Sequence, residues 1–169
     1  MWILTSSLAL AAGPSHAQID AATWAFVATI RHSTAGQVVV SRSTITGILC
    51  FQGVTRVDEL NPDQLMDVIL DFDSVARWSS AGISDSRVLA QTPGQIEYYQ
   101  YLDIPGWTMA SDRFWFLSAS IQRTEAAQDF RWSRLAGGGD HHALYQQIKE
   151  AHPSAVEPPI NVGGWRFAT

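Results

Sequence analysis

Between Asn61 and Phe116 the spacing of apolar residues passes from helical to alternating, and that passage constrains the fold more than any other feature of the chain. Asn61-Pro62-Asp63 reads as a helix start. Asn caps free amides, Pro suits the first helical position because its nitrogen carries no hydrogen, and an early Asp meets the positive end of the helix dipole. Leu65, Ile69 and Phe72 share one helical face, with Met66 and Val68 at its margins. Asp71 to Trp78 reads as a short aromatic second helix, and Ser79-Ser80-Ala81-Gly82 ends the helical region. The period then drops to two. Ile83 to Gln91 and Gln95 to Leu102 read as strands joined by the turn Thr92-Pro93-Gly94, and Arg113 to Gln122 follows the proline turn Asp103-Ile104-Pro105-Gly106-Trp107. A helical unit followed by antiparallel strands is the order in which a curved sheet wraps a helix and leaves a cavity between them.

The flanks extend this pattern. Trp24, Phe26, Ala28 and Ile30 alternate within Ala22 to Arg31 and are read as one face of a strand. Gln37 to Arg42 and Gly47 to Val57 complete a three-strand meander, with a bulge expected at Gly53. Gln128 to Leu135 closes a hairpin with the strand before it, Asp140 to Glu150 reads as a short surface helix, and Ile160 to Phe167 as a last strand. Gly137-Gly138-Gly139 lacks the preceding strand and the spacing of a phosphate-binding loop.

Charge narrows the function classes. The 169 residues carry a net charge of −5 with no cluster of Lys or Arg, which speaks against a nucleic-acid footprint and a polybasic membrane anchor. Seven Trp, seven Phe and four Tyr are the usual material of apolar pocket walls, and equally of ordinary cores. At the N-terminus Ile3 to Ala12 is a short apolar run, broken by Gly13-Pro14 and followed by the small-x-small site Ser15-His16-Ala17. Residues 1–17 are therefore read as a signal peptide, and the mature chain as exported, periplasmic or secreted. No Lys or Arg precedes the run. Cys50, the single cysteine, excludes an intrachain disulfide and is expected to be buried between Leu49 and Phe51.

Candidate binding residues follow from the alternation. Trp78, Tyr99, Tyr101, Trp115 and Trp132 are candidates for an aromatic lining, with Leu117 on the same strand face as Trp115. Arg113 heads that strand and is placed at the cavity, where a permanently charged guanidinium needs a carboxylate partner; Glu97 and Asp103 are the candidates, with Asp112 limited to local contacts. Such a pair either orients a ligand's polar end or serves as a structural ion pair at the rim. Asp140, His141, His142 and His152 lack the ligand spacing of a structural metal site, so no metal is expected. No Gly-x-Ser-x-Gly elbow or Cys–His pairing supports nucleophilic catalysis, and no cofactor is expected.

Several pieces, taken in order, resemble START domains and the broader superfamily that includes polyketide cyclases and the major birch-pollen allergen. They are the helix running into Leu70-Asp71-Phe72-Asp73-Ser74-Val75-Ala76-Arg77-Trp78, then Ser86-Arg87-Val88-Leu89, Tyr98-Tyr99-Gln100-Tyr101, Ile104-Pro105-Gly106-Trp107 and Ser111-Asp112-Arg113, with His152-Pro153 to Gly164-Trp165 further on. The likeness spans about Trp24 to Phe167. Two departures stand out: Phe114 replaces the acidic residue common after Asp-Arg in the family, and the chain stops at Thr169, about 50 residues short of the family's closing strands and long C-terminal helix. The resemblance implies an α+β helix-grip fold, in which a curved antiparallel β-sheet wraps a helix around an internal hydrophobic cavity, here without its closing C-terminal helix. The implied domain is a START-like ligand-binding domain over residues 22–169, incomplete at its C-terminus. The implied function is binding or transport of a hydrophobic small molecule, a lipid, by a monomer in transient contact with membranes. A polyketide cyclase or aromatase on the same scaffold is the alternative, with Glu97 or Tyr99 as its nominated acid or base.

Overall fold

The computed structural model describes residues 13–33, 35–58 and 60–168. The apolar run expected to belong to a signal peptide, Ile3 to Ala12, lies outside the described residues. Among those described, a short helix α1 (His16–Asp20), capped by Ser15, leads into strands β1 (Ala25–His32), β2 (Gly36–Ile45) and β3 (Ile48–Thr55). Helices α2 (Pro62–Leu70) and α3 (Val75–Trp78) follow, with a 3₁₀ turn at Phe72–Ser74 between them. Strands β4 (Ile83–Thr92), β5 (Gln95–Leu102), β6 (Arg113–Arg123) and β7 (Ala127–Arg134) come next, then helix α4 (His142–Ala151) and strand β8 (Val162–Ala168).

The strands form two antiparallel meanders, β1-β2-β3 and β4-β5-β6-β7-β8. In the first, the irregularity lies between Phe26 and Ala28, whereas Gly53 sits in regular register opposite Val40. The bulge expected at Gly53 is therefore at Val27. Because Phe26 pairs with Ser41 and Ala28 with Val40, adjacent residues that face opposite ways, the bulge turns Phe26 to the other face from Ala28 and Ile30. Leu49 and Phe51 are largely exposed and Cys50 is only half-buried, so the thiol is not enclosed as expected.

The second sheet carries the core on both of its faces. Asn61 caps α2 by accepting from the Asp63 amide at 2.8 Å, with Pro62 in the first turn. Met66, fully buried, is the residue that α2 drives into the sheet, joining Phe72, Ile96, Tyr98, Leu117, Ala119 and Phe130. Leu65 and Ile69 flank it and Val68 is exposed, so the stripe is centred on Met66 rather than on its neighbours. On the opposite face Tyr99, Tyr101, Phe114 and Phe116 pack beneath Leu144, Tyr145 and Ile148 of α4, which is thus half-embedded rather than a surface helix. Gly94 turns the β4–β5 hairpin at φ +80°, a conformation that costs glycine nothing. Gly138, at φ +82°, lets the segment before α4 approach so closely that a Cβ there would lie 2.8 Å from that of Tyr145.

Candidate functional site

Between α2–α3 and the inner face of the five-stranded sheet lies a cavity of about 230 Å³. Its roof is Ile69, Phe72, Val75 and Trp78, continued by Ser79 and Ala81, and its floor is built from alternate residues of the strands: Ile83, Tyr98, Gln100, Trp115, Leu117, Phe130, Trp132 and Trp165, with Asn161 at the entry to β8. The floor follows from register. Tyr98 pairs with Leu117, Gln100 with Trp115, and Phe130 with Trp165, and directly opposed residues of antiparallel strands share a face. Phe72, Tyr98 and Phe130 stack in tilted contact, with centroids 4.6 Å apart for Phe72–Tyr98. Burial pushes the Tyr98 phenol far above its ordinary range, which keeps it neutral. Trp132 Nε1 donates to Asn161 Oδ1 at 2.8 Å, fixing one wall. A larger depression of about 500 Å³ between Leu60–Asp63 and Thr124–Gln128 is open and lined mostly by exposed residues, which makes it a poor enclosure for an apolar ligand.

The residues expected at the site divide between the two faces. Trp78, Trp115, Leu117 and Trp132 line the cavity. Glu97, Tyr99 and Tyr101 do not. They point to the outer face, where Tyr99 and Tyr101 belong to the core under α4 and Glu97 Oε2 lies 2.7 Å from His141 Nε2. Arg113 shares the inner face but lies outside the cavity wall, and among the described residues it has no ion-pair partner, neither Glu97 nor Asp103. The carboxylate that organises this end of the sheet is Asp112. Its Oδ1 accepts from the Ile104 amide at 2.9 Å and its Oδ2 from the Tyr101 hydroxyl at 2.8 Å, which hold its carboxyl below the usual carboxylate value. Burial and the Asp112 hydrogen bond push the Tyr101 hydroxyl up to about 12, and His152 Nδ1 lies 3.2 Å from it. His142 Nδ1 meets the Gly137 carbonyl at 3.3 Å, so the histidines are dispersed over separate partners. Among the described residues no three His, Cys, Asp or Glu side chains gather to hold a metal.

Sequence reasoning passed over Tyr98, Gln100, Phe130, Asn161 and Trp165. For Tyr98 and Gln100 the signal was present, because they alternate with Ile96 on the face that meets the apolar stripe of α2.

No family model matches the chain, and no curated protein matches it. Among solved structures, it superposes on the STAR-related lipid transfer protein (fragment 25–204) from Xanthomonas axonopodis with a TM-score of 0.65. The match covers 86% of this chain and 73% of that one, at 17% sequence identity. The fold is START-like. Among the described residues no Asp, Glu, Lys, Arg or His lines the cavity, whose wall is made of aromatic rings, aliphatic groups and a few neutral polar atoms.

Proposed function

We propose that the chain binds and carries a hydrophobic small molecule, a lipid or a molecule of lipid-like character, in the cavity beneath α2 and α3. The observation that carries this reading is the apolar, aromatic-walled enclosure on a START-like fold. Desolvating a ligand's hydrocarbon supplies about 25 cal/mol per Å² buried, so affinity needs no charged contact. The cavity lies below the about 300–1,000 Å³ common for small-molecule sites, which fits a modest ligand or the buried part of a larger one.

Exchange with a membrane is part of the reading. Trp107 and Met109, 84% and 95% exposed, project from the loop between β5 and β6. That loop leaves the sheet at Asp103, whose amide donates to the Gly82 carbonyl at 3.0 Å, next to the Ser79–Ala81 portion of the cavity wall. Two large apolar side chains presented to water beside a lipid site are suited to transient contact with a bilayer. Export through the N-terminal apolar run and a monomeric state complete the proposal.

Native mass spectrometry of the protein purified from its host without detergent tests the function. A monomer with a co-purified adduct of lipid mass is expected. A bare mass, together with failure to take up a neutral hydrophobic dye, refutes it.

A further inference from the structure

A row of neutral polar groups without partners crosses the inner face of the five-stranded sheet. Ser86 pairs with Gln100 and Gln100 with Trp115, so the three side chains stand side by side on β4, β5 and β6. Ser86 Oγ and Trp115 Nε1 are buried and make no hydrogen bond among the described residues. Between them, the Gln100 amide lines the cavity half-buried and is likewise unpaired. Buried polar atoms are almost always satisfied, and leaving one unmade costs more than a formed bond contributes. The row thus brings an unsatisfied hydroxyl, amide and indole N–H together at the cavity floor, Gln100 and Trp115 in the wall and Ser86 Oγ buried beside them, where a polar ligand group at Gln100 would give the row a partner it lacks.

The row is also uncharged, as is the rest of the wall. A carboxylate or ammonium drawn in here finds no counter-ion and loses its hydration, a cost that ordinarily drives such a group to stay in water or to neutralise. We propose that the cavity selects an uncharged hydrophobic ligand bearing a hydroxyl or carbonyl, and that Gln100, flanked by Ser86 and Trp115, binds that polar end. Gln100 offers both an N–H and a C=O, so it serves either group. This inference rests on the hydrophobic-ligand reading above and adds to it the charge state and the recognising residue.

The test is calorimetric titration at pH 7.5 with 1-decanol and with decanoate, which share a chain of modest length and differ at its head. The wild-type chain is expected to bind decanol at least tenfold more tightly than decanoate. Gln100→Leu is expected to weaken decanol binding about tenfold, the effect of leaving a ligand hydroxyl and its neighbours unpaired. Trp115→Phe, which keeps the ring and removes the N–H, is expected to weaken it severalfold and serves as the second variant should Gln100→Leu not fold. Decanoate binding as tightly as decanol overturns the selection for neutral ligands but leaves the carrier function standing. A preference for decanol unchanged in both variants overturns the role of the row. Binding of neither probe overturns the hydrophobic-ligand function itself.

Discussion

Met66→Ala tests the placement on which the cavity depends, because α2 forms its roof only in one rotation about its own axis. Met66 has no exposed surface and is wedged among Phe72, Tyr98, Leu117 and Phe130, so removing its side chain leaves a void that rigid neighbours cannot fill. Substitutions of this kind cost about 2–5 kcal/mol. For a chain of this size each kcal/mol lowers the melting temperature by about 2–4 °C, so a mid-range loss of about 3 kcal/mol corresponds to about 6–12 °C. Leu65→Ala, one residue earlier and only half-buried, removes less surface from the interior and is expected to cost about 1 kcal/mol. Val68→Ala, on the exposed side, is expected to cost under about 0.5 kcal/mol. Urea denaturation followed by Trp fluorescence orders the three. If Leu65→Ala is the most damaging, α2 is turned by about 100° from the position described, the rotation per residue of a helix. Met66 would then not meet Tyr98 and Leu117, and the cavity walls assigned here would be wrong.

Arg134→Ala is expected to cost about 3–5 kcal/mol, because Arg134 Nε and Nη2 clamp Glu157 at 2.7 and 2.8 Å and the stranded Glu157 carboxylate is 6% exposed; chemical denaturation reads the loss. Gly163→Ala places a Cβ 2.5 Å from Trp132 Cζ2, so it is expected to push that ring off its bond to Asn161 and reduce uptake of a neutral hydrophobic dye more than threefold while the melt stays cooperative. Asp112 carries the pH prediction. Its folded carboxyl lies below the usual carboxylate value, so the stability it contributes is present above that value and is lost as pH falls through the lower folded one. Thermal melts from pH 7 to pH 3 are expected to decline less steeply in Asp112→Asn than in the wild type, and identical acid limbs would refute the assignment.

The order of the elements was legible because it is written in local patterns. Asn61-Pro62 starts α2, and the change of apolar period from helical to alternating separates α2 from β4 and β5. Turns at Pro93-Gly94 and strands at Gln95–Leu102 and Arg113–Arg123 needed only nearest neighbours in sequence. The bulge was not legible. Gly53 is the obvious candidate by composition, yet the extra residue is Val27, and nothing in Ala25-Phe26-Val27-Ala28 distinguishes it from a regular strand until β2 fixes the pairing.

The site was half legible for a related reason. Alternation divides β5 into Ile96, Tyr98 and Gln100 against Glu97, Tyr99 and Tyr101, and β6 into Trp115 and Leu117 against Phe114 and Phe116, but it does not say which halves share a face. Register decides that, and a slip of one residue reverses every side chain. Joining Tyr99 and Tyr101 to Trp115 and Leu117 mixed the two faces, since Tyr99 in fact opposes Phe116 and Tyr98 opposes Leu117. Both halves of β5 carry aromatic residues because both faces of the sheet are covered, one by α2 and one by α4. The choice turns on α4, whose Leu144, Tyr145 and Ile148 pack on Tyr99, Tyr101, Phe114 and Phe116 on the outer side, whereas the aromatic-walled cavity lies on the inner side beneath α2 and α3. A polar residue on the filled side finds a protein partner, as Glu97 does in His141, whereas Gln100 on the open side does not. An unpaired amide in the wall of a cavity is therefore a better guide to the ligand face than the count of aromatic rings.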